Sequence, residues 1–303
     1  MDGIVNAYKP PGITSFEVVA QLRRFSHERR VGHAGTLDPQ ASGVLPICLG
    51  GATRVVEFML GSRKAYRAAI ELGITTDTYD AAGRIVRRQD PSPITLEQVK
   101  LALPAFRGRV WQSPPPYSAL KHQGRRLYHL ARAGTPIHPP PRPVEIYDLN
   151  VVCWHPPVVT LEAECGRGTY LRSLAHDLGG ALGCGGHLKD LVRLRYGPFS
   201  LEDALSLPQI EAAFQEGREG EILHPPDSVL ADWKALTLDR EGEQRVSRGL
   251  ALDLGQEQRG RPGEYLRAYT LDGHFIAVLR FHGEKGVWQP RKVFSPREKG
   301  DPK

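Results

Sequence analysis

Val31-Gly32-His33-Ala34-Gly35-Thr36-Leu37-Asp38-Pro39-Gln40-Ala41-Ser42-Gly43 is too rich in glycine, proline and small polar residues to be a regular element. It reads as a structured loop, with its backbone shaped by neighbours. The apolar run over residues 44–49 follows directly and reads as a short buried strand. Asp38 stands in the middle of the loop, with His33 before it and Ser42-Gly43 after it. Two readings of Asp38 are open. It can begin an Asp-Pro turn and cap its own backbone. It can also be a reactive carboxylate on a loop held by a scaffold.

Upstream, Lys9-Pro10-Pro11-Gly12 reads as a turn. Thr14-x-x-Glu17 is a capping box, and Val18, Leu22 and Phe25 follow at helical spacing to an end near Ser26. Downstream, residues 53–60 look helical. Tyr66, Ala68, Ile70 and Leu72 alternate with Arg67, Ala69 and Glu71, the period of a half-buried strand. A turn over residues 80–83 leads to Ile85-Val86, which should complete a hairpin with that strand. Thr95-x-x-Gln98 caps a short helix that Pro104 ends. Residues 144–152 and 158–165 read as strands. Leu171, Leu174, Leu178 and Leu182 mark a helix with Gly183 as its stop. Further helical pieces are expected over 201–207 and 210–216. Beyond Trp233 the pattern becomes short strands over 236–238, 265–271, 275–281 and 287–293, with Asp272-Gly273 as a hairpin turn. The expectation is an α+β fold: a larger domain over 1–232, a small all-β module over 233–295, and a polar, disordered tail over 296–303.

The chain has 303 residues, with 40 Lys+Arg against 34 Asp+Glu, a net charge of +6. That length suggests two domains at roughly 150 residues each. No apolar run approaches the roughly 18 residues of a transmembrane helix. The start lacks a basic region followed by an apolar one, so no secretory signal is expected. Four cysteines in so long a chain do not make a disulfide scaffold and suit a reducing cytoplasm. The charge is uneven. Residues 98–144 hold no Asp or Glu but eight basic residues: Lys100, Arg107, Arg109, Lys121, Arg125, Arg126, Arg132 and Arg142. That stretch carries +8, so the remainder sums to 6 − 8 = −2. Phe106, Trp111, Tyr117 and Tyr128 are interleaved, which suits phosphate contact with base stacking. A plain solvated basic face is the alternative.

Several chemistries lack their residues. Cys-x-x-Cys and His-Glu-x-x-His are absent, and Cys184-Gly-Gly-His187 has no partner pair at zinc spacing. No phosphate-binding Walker loop, complete dinucleotide loop or Gly-x-Ser-x-Gly elbow occurs. In Gly166-Arg167-Gly168-Thr169-Tyr170-Leu171-Arg172-Ser173 a strand runs through a glycine loop into a helix. Arg172 is there a surface charge, a phosphate contact, or the partner of a carboxylate whose ionised form it favours. Tyr66 is a core aromatic or part of a site.

The segment Gly32–Pro46 resembles the catalytic motif of bacterial tRNA pseudouridine-55 synthases. Lys9-Pro10-Pro11-Gly12-Ile13-Thr14-Ser15, Lys64-Ala65-Tyr66, Gly73-x-x-Thr76-Asp77-x-x-Asp80-x-x-Gly83 and Gln112-x-Pro114-Pro115-x-Tyr117-Ser118-Ala119-x-Lys121 follow in family order. Gly168-Thr169-Tyr170-Leu171-Arg172-Ser173 and Gly183-Cys184-Gly185-Gly186-His187 complete a resemblance over about residues 3–197. Leu191-Val192-Arg193 departs from the pattern, which has two adjacent basic residues there.

The resemblance implies a pseudouridine synthase catalytic domain with a mixed, mainly antiparallel sheet and flanking helices. A small PUA-like RNA-binding β-barrel would follow it. It implies isomerisation of uridine 55 in the T-arm of tRNA, with no cofactor and no metal. Asp38 would be the nucleophile, and Arg172 would pair with it. Tyr66 would stack on the flipped uracil, His33 would fill the gap it leaves, and Tyr170 and Leu191 would line the base pocket. Lys9, Lys121, Arg125 and Arg126 are expected RNA contacts, the basic stretch 98–144 gripping the T-arm. No membrane and no obligate protein partner are expected, and the chain would act as a monomer. A synthase guided by another RNA or acting at another site, and a non-catalytic RNA-folding factor, are the rival readings.

Overall fold

The computed structural model of the protein describes residues 1–118, 120–122, 124–127, 135, 137 and 139–294, with residues 121, 122, 125 and 126 described by backbone alone. The side-chain roles expected of Lys121, Arg125 and Arg126, the residues Tyr128 and Arg132, and the tail 296–303 therefore lie outside what is described. The strands in chain order begin with β1 (Gly3–Lys9), β2 (Val31–His33), β3 (Ser42–Leu49), β4 (Lys64–Leu72), β5 (Ile74–Thr76) and β6 (Ile85–Arg88). There follow β7 (Gly108–Gln112), β8 (Lys121–His122), β9 (Arg125–Arg126), β10 (Arg142–His155), β11 (Val158–Cys165), β12 (Gly186–Tyr196) and β13 (Phe199–Ser200).

One large sheet runs β1-β3-β12-β4-β11-β10-β7, with β2 on the side of β3 and β13 on β12. Its pairings are antiparallel except β12 with β3, where Val192 faces Ser42 and Arg193 faces Gly43. The alternation read in β4 turns Tyr66, Ala68, Ile70 and Leu72 onto the core. There they meet Leu161 and Ala163 of β11, and Leu174, Ala175 and Leu178 of the helix Leu171–Ala181. The helix Ser15–Ser26 starts at the expected Thr14 capping box and covers the other end of the sheet with Val18, Val19 and Leu22.

Four elements differ from expectation. Val31–His33 is a short strand rather than loop, because it can pair with Leu49, Cys48 and Ile47. Ile85–Arg88 forms its hairpin with Ile74–Thr76 in a separate two-stranded sheet, not with β4. Residues 201–206 are not helical. Leu205 is drawn to the sheet instead, its carbonyl accepting from Tyr8 N and its N–H donating to Asn6 O. The helix then starts at Leu207, with Ser206 and Gln209 as a capping box. β12 was not expected at all. Two register shifts, between Leu188 and Asp190 and between Arg193 and Arg195, break its period of two.

Beyond residue 232, β14 (Lys234–Thr237), β15 (Tyr265–Tyr269), β16 (Phe275–His282) and β17 (Val287–Val293) pair in that order. Here the expected all-β barrel is a four-stranded sheet joined by the helix Arg240–Ser247, which Asp239 caps. Its inner residue Val278 shares one core with Ile4, Val44, Cys48 and Leu230. Phe58 meets Trp233 and Tyr265 edge-on across the same junction, at 5.2 and 5.5 Å. No helix among the described residues is long and apolar enough to cross a membrane.

Candidate active site

Two flanks hold the loop between β2 and β3. From the N-terminal side, Ser15 Oγ accepts from Leu37 N (2.9 Å) and donates to Leu37 O (3.1 Å), and Gly12 N donates to Pro39 O (2.9 Å). Lys9 is wholly buried, its ammonium donating to Pro10 O, Ile13 O and Pro39 O at 2.8, 2.7 and 3.0 Å. Burial pushes its pKa down to about 8. Expected as an RNA contact, Lys9 is instead an internal brace, since its side chain has no exposed surface and its ammonium is spent on three carbonyls. From the sheet side, Arg193 donates through Nε to Val44 O (2.6 Å) and through Nη2 to Gly35 O (3.0 Å). Gly43 has φ +104°, and a Cβ there would stand 2.3 Å from Arg193 O. Only glycine lets β12 lie alongside β3 at this point.

Held in this way, the loop presents Asp38 to Arg172. The ion pair spans 3.0 Å from Arg172 Nε to Asp38 Oδ2, although that N–H is not aligned on the oxygen. Arg172 Nη2 donates to Asp38 Oδ1 at 3.4 Å and to Tyr117 O at 3.0 Å. Its Nη1 reaches Thr78 O at 3.4 Å and Asp80 Oδ2 at 3.5 Å. The Arg172 side chain is 7% exposed and that of Asp38 45%. The cation is therefore fixed from behind while the carboxylate faces solvent. Asp38, Ala41, Asp80, Arg172, Leu188 and Leu191 line one open cleft.

The other expected residues are placed differently. Leu191 lines the cleft from β12. Tyr66 is buried on β4, opposite Arg193, and burial pushes its phenol up, so it stays protonated at neutral pH. Tyr170 precedes the first turn of the Arg172 helix. Gln112 grips its backbone, accepting from its N–H at 2.7 Å and donating to its carbonyl at 3.0 Å. His33 lies on β2 with Nδ1 buried and without a hydrogen-bond partner. Burial and the nearby Arg193 charge push its pKa down, favouring the neutral ring. Neither Tyr66, Tyr170 nor His33 lines the cleft that holds Asp38 and Arg172.

Sequence reasoning passed over two residues. Asp80 was quoted as part of a motif but given no role, yet it is the second carboxylate on Arg172. Arg193 was quoted only within a tripeptide that departs from the family pattern and was given no role, yet it is 1% exposed and holds the loop at two carbonyls. A charged residue set within the apolar run Leu191-Val192-Arg193-Leu194 was the available signal. No group of three or more potential metal ligands is assembled among the described residues.

A family model described as TruB family pseudouridylate synthase (N terminal domain) matches residues 23–171. A second, tRNA pseudouridylate synthase B C-terminal domain, matches residues 172–231. The chain belongs to the TruB family of pseudouridylate synthases. It is therefore an isomerase. Among its TruB relatives, a tRNA pseudouridine synthase B of Dehalococcoides mccartyi is 47% identical over 294 residues, 97% of either chain. That of Clostridium tetani is 38% identical over 90% of this chain and 93% of its own. The fold resembles a chain in the crystal structure of a Cbf5-Nop10-Gar1 complex, with a TM-score of 0.74 and 27% identity. The match covers 97% of this chain and 85% of that one. A chain of an H/ACA RNP bound to a substrate RNA containing 2'-deoxyuridine gives 0.72 and 25%, over 98% and 86%.

Proposed function

We propose that this protein isomerises uridine 55 in the T-arm of tRNA to pseudouridine, with Asp38 as the nucleophile and without a cofactor. The carrying observation is the Asp38–Arg172 pair, a half-exposed carboxylate on a rigid loop with a buried guanidinium 3.0 Å behind it. The relatives named tRNA pseudouridine synthase B support tRNA as the substrate.

The reaction breaks the N1–C1′ bond, turns the uracil and joins C5 to C1′. C5 loses a proton and N1 gains one, so nothing is oxidised and no group enters from outside. A carboxylate can add to the sugar or the base and later leave, and attack at C1′, attack at C6 and a glycal route all fit that balance. The uridine must leave the stack to reach Asp38. Leu191 and Ala41 offer it apolar walls. Tyr66, whose phenol feels the Asp38 charge, and Tyr170, two residues before Arg172, are the aromatic side chains we assign to the base pocket. The acid-free stretch 98–144 supplies cations for the T-arm backbone, with Arg107 and Arg142 among them. We read the sheet beyond residue 232 as a PUA-like RNA-binding module. Asp38, Asp80 and Arg172 meet within a single chain, so the pair needs no second copy to form. Four free cysteines, three of them buried, support a reducing cytoplasm.

The test is to incubate the purified protein with one unmodified tRNA carrying 5-tritiated uridine, and to map pseudouridine in the product. Wild type should release tritium and modify position 55. Asp38→Asn should release none while binding tRNA with near-normal affinity. Near-normal release by that variant would sink the assignment.

A further inference from the structure

The turn between β5 and β6 carries a strained residue that the mechanism above does not use. Tyr79 has φ +65°, in the left-handed region that non-glycine residues enter at a cost in free energy. Its ring lies flat on the imidazole of His176, with centroids 3.8 Å apart and planes 14° from parallel. His176 stands four residues after Arg172 on the helix Leu171–Ala181, so both side chains leave the same helical face. Asp80, the second carboxylate on Arg172, is the residue after Tyr79.

Most contacts of this turn bind it to itself or to β12. Thr76 Oγ1 donates to Asp80 O at 2.7 Å and Thr78 Oγ1 to Asp80 Oδ1 at 2.6 Å. Leu188 N donates to Tyr79 O at 2.9 Å, and Ala81 N to Leu188 O at 3.0 Å. Toward the helix the turn offers two links, one helical turn apart. The first is Arg172 Nη1 with Thr78 O and Asp80 Oδ2, at 3.4 and 3.5 Å, both too long to hold a turn in place alone. The second is the ring stack. His176 Nδ1 is buried and has no hydrogen-bond partner, and burial pushes the ring toward its neutral form. A side chain kept there at that cost supplies its flat face, not its nitrogen.

We propose that the Tyr79–His176 stack is a positioning pair. It sets the Asp80 turn against the helix, so that Arg172 is held from behind and turns Nε and Nη2 toward Asp38. The inference rests on reading Asp38–Arg172 as the reacting pair.

The test measures single-turnover pseudouridylation and tRNA affinity for Tyr79→Gly, Tyr79→Phe, His176→Ala, His176→Phe and Asp38→Asn. Tyr79→Gly removes the ring and relieves the left-handed strain together. Tyr79→Gly and His176→Ala should each slow turnover about tenfold, with affinity changed by less than about twofold. Their combination should be no slower than the worse single variant, because both remove one contact. Both Phe variants keep a flat ring and should stay near the wild-type rate. Wild-type turnover in Tyr79→Gly, Phe variants as slow as Tyr79→Gly and His176→Ala, or a loss confined to affinity would each overturn the proposal. Undiminished turnover in Asp38→Asn would overturn the site assignment instead, so the two failures are distinguishable.

Discussion

A guanidinium has five N–H donors in a rigid fork, and Arg172 points them at four groups: Asp38, Asp80, Thr78 O and Tyr117 O. A lysine could not span that set. Lys9 shows the opposite use of charge, a compact ammonium closing a knot of three carbonyls under the loop. Its burial has a pH signature. With a folded pKa of about 8 against an ordinary 10.5, the unfolded chain holds this proton between those values while the folded chain releases it. More protons on the unfolded state mean that stability rises with pH through that window. The gain is complete only above the unfolded value. Chemical denaturation from pH 8 to 10.5 should therefore show wild type gaining stability relative to Lys9→Met. An unchanged difference between the two proteins would contradict the burial of that charge. The places of Asp38 on a loop and of Tyr66 on a half-buried strand were legible from loop composition and strand alternation, but their roles came only from the family resemblance. Arg193 was not, because a buried cation reveals its purpose only when the carbonyls it serves are known.

At the scale of elements, the Asp38 loop is a product of three strands and one helix. The parallel contact of β12 with β3 brings Leu191 and Arg193 to the loop, and it exists because Gly43 leaves room for Arg193 O. Gly43→Ala would meet both a positive φ and a backbone collision, for a predicted loss of about 2–4 kcal/mol of stability. Urea unfolding measures this, and a loss under about 0.5 kcal/mol would show that the strands can part without harm. Elements with one clear period were readable: β4 from alternation, and the helices at Ser15 and Leu171 from apolar spacing and, for the first, its capping box. β12 was not, since two bulges scramble its period and Arg193 occupies a core position. The stretch 201–206 looked helical by composition but is a turn that ends in Leu205 bridging to β1, which offered it two hydrogen bonds.

Across the whole molecule, charge and core are distributed for different ends. The +8 of residues 98–144 against −2 elsewhere concentrates net positive charge in one stretch of the chain. Replacing Arg125 and Arg126 by Gln should lower the slope of log affinity for tRNA against log salt by about 1.5 to 2. An unchanged slope would place the RNA on another face. The core, by contrast, ignores the expected boundary at residue 232, because Val278, Trp233, Tyr265 and Phe275 pack with Ile4, Val44 and Cys48. Heating should therefore give one cooperative transition, with tryptophan fluorescence and far-ultraviolet circular dichroism coinciding. An earlier separate change in fluorescence would mean that the C-terminal sheet melts alone.

Local order carried what the sequence by itself determined: the α+β class, the loop with Asp38, the strand of Tyr66, the helix of Arg172 and the acid-free basic stretch. Periodicity, capping pairs and composition act over a few neighbouring residues and can be read without coordinates. The tertiary structure decided what lies between distant residues. It joined Asp38 to Arg172 across 134 positions, added Asp80 behind them, turned Lys9 and Arg193 inward, and merged the C-terminal sheet with the catalytic core. Such pairings depend on which backbone and side-chain groups remain unsatisfied once the strands have found their register, and no local pattern records that.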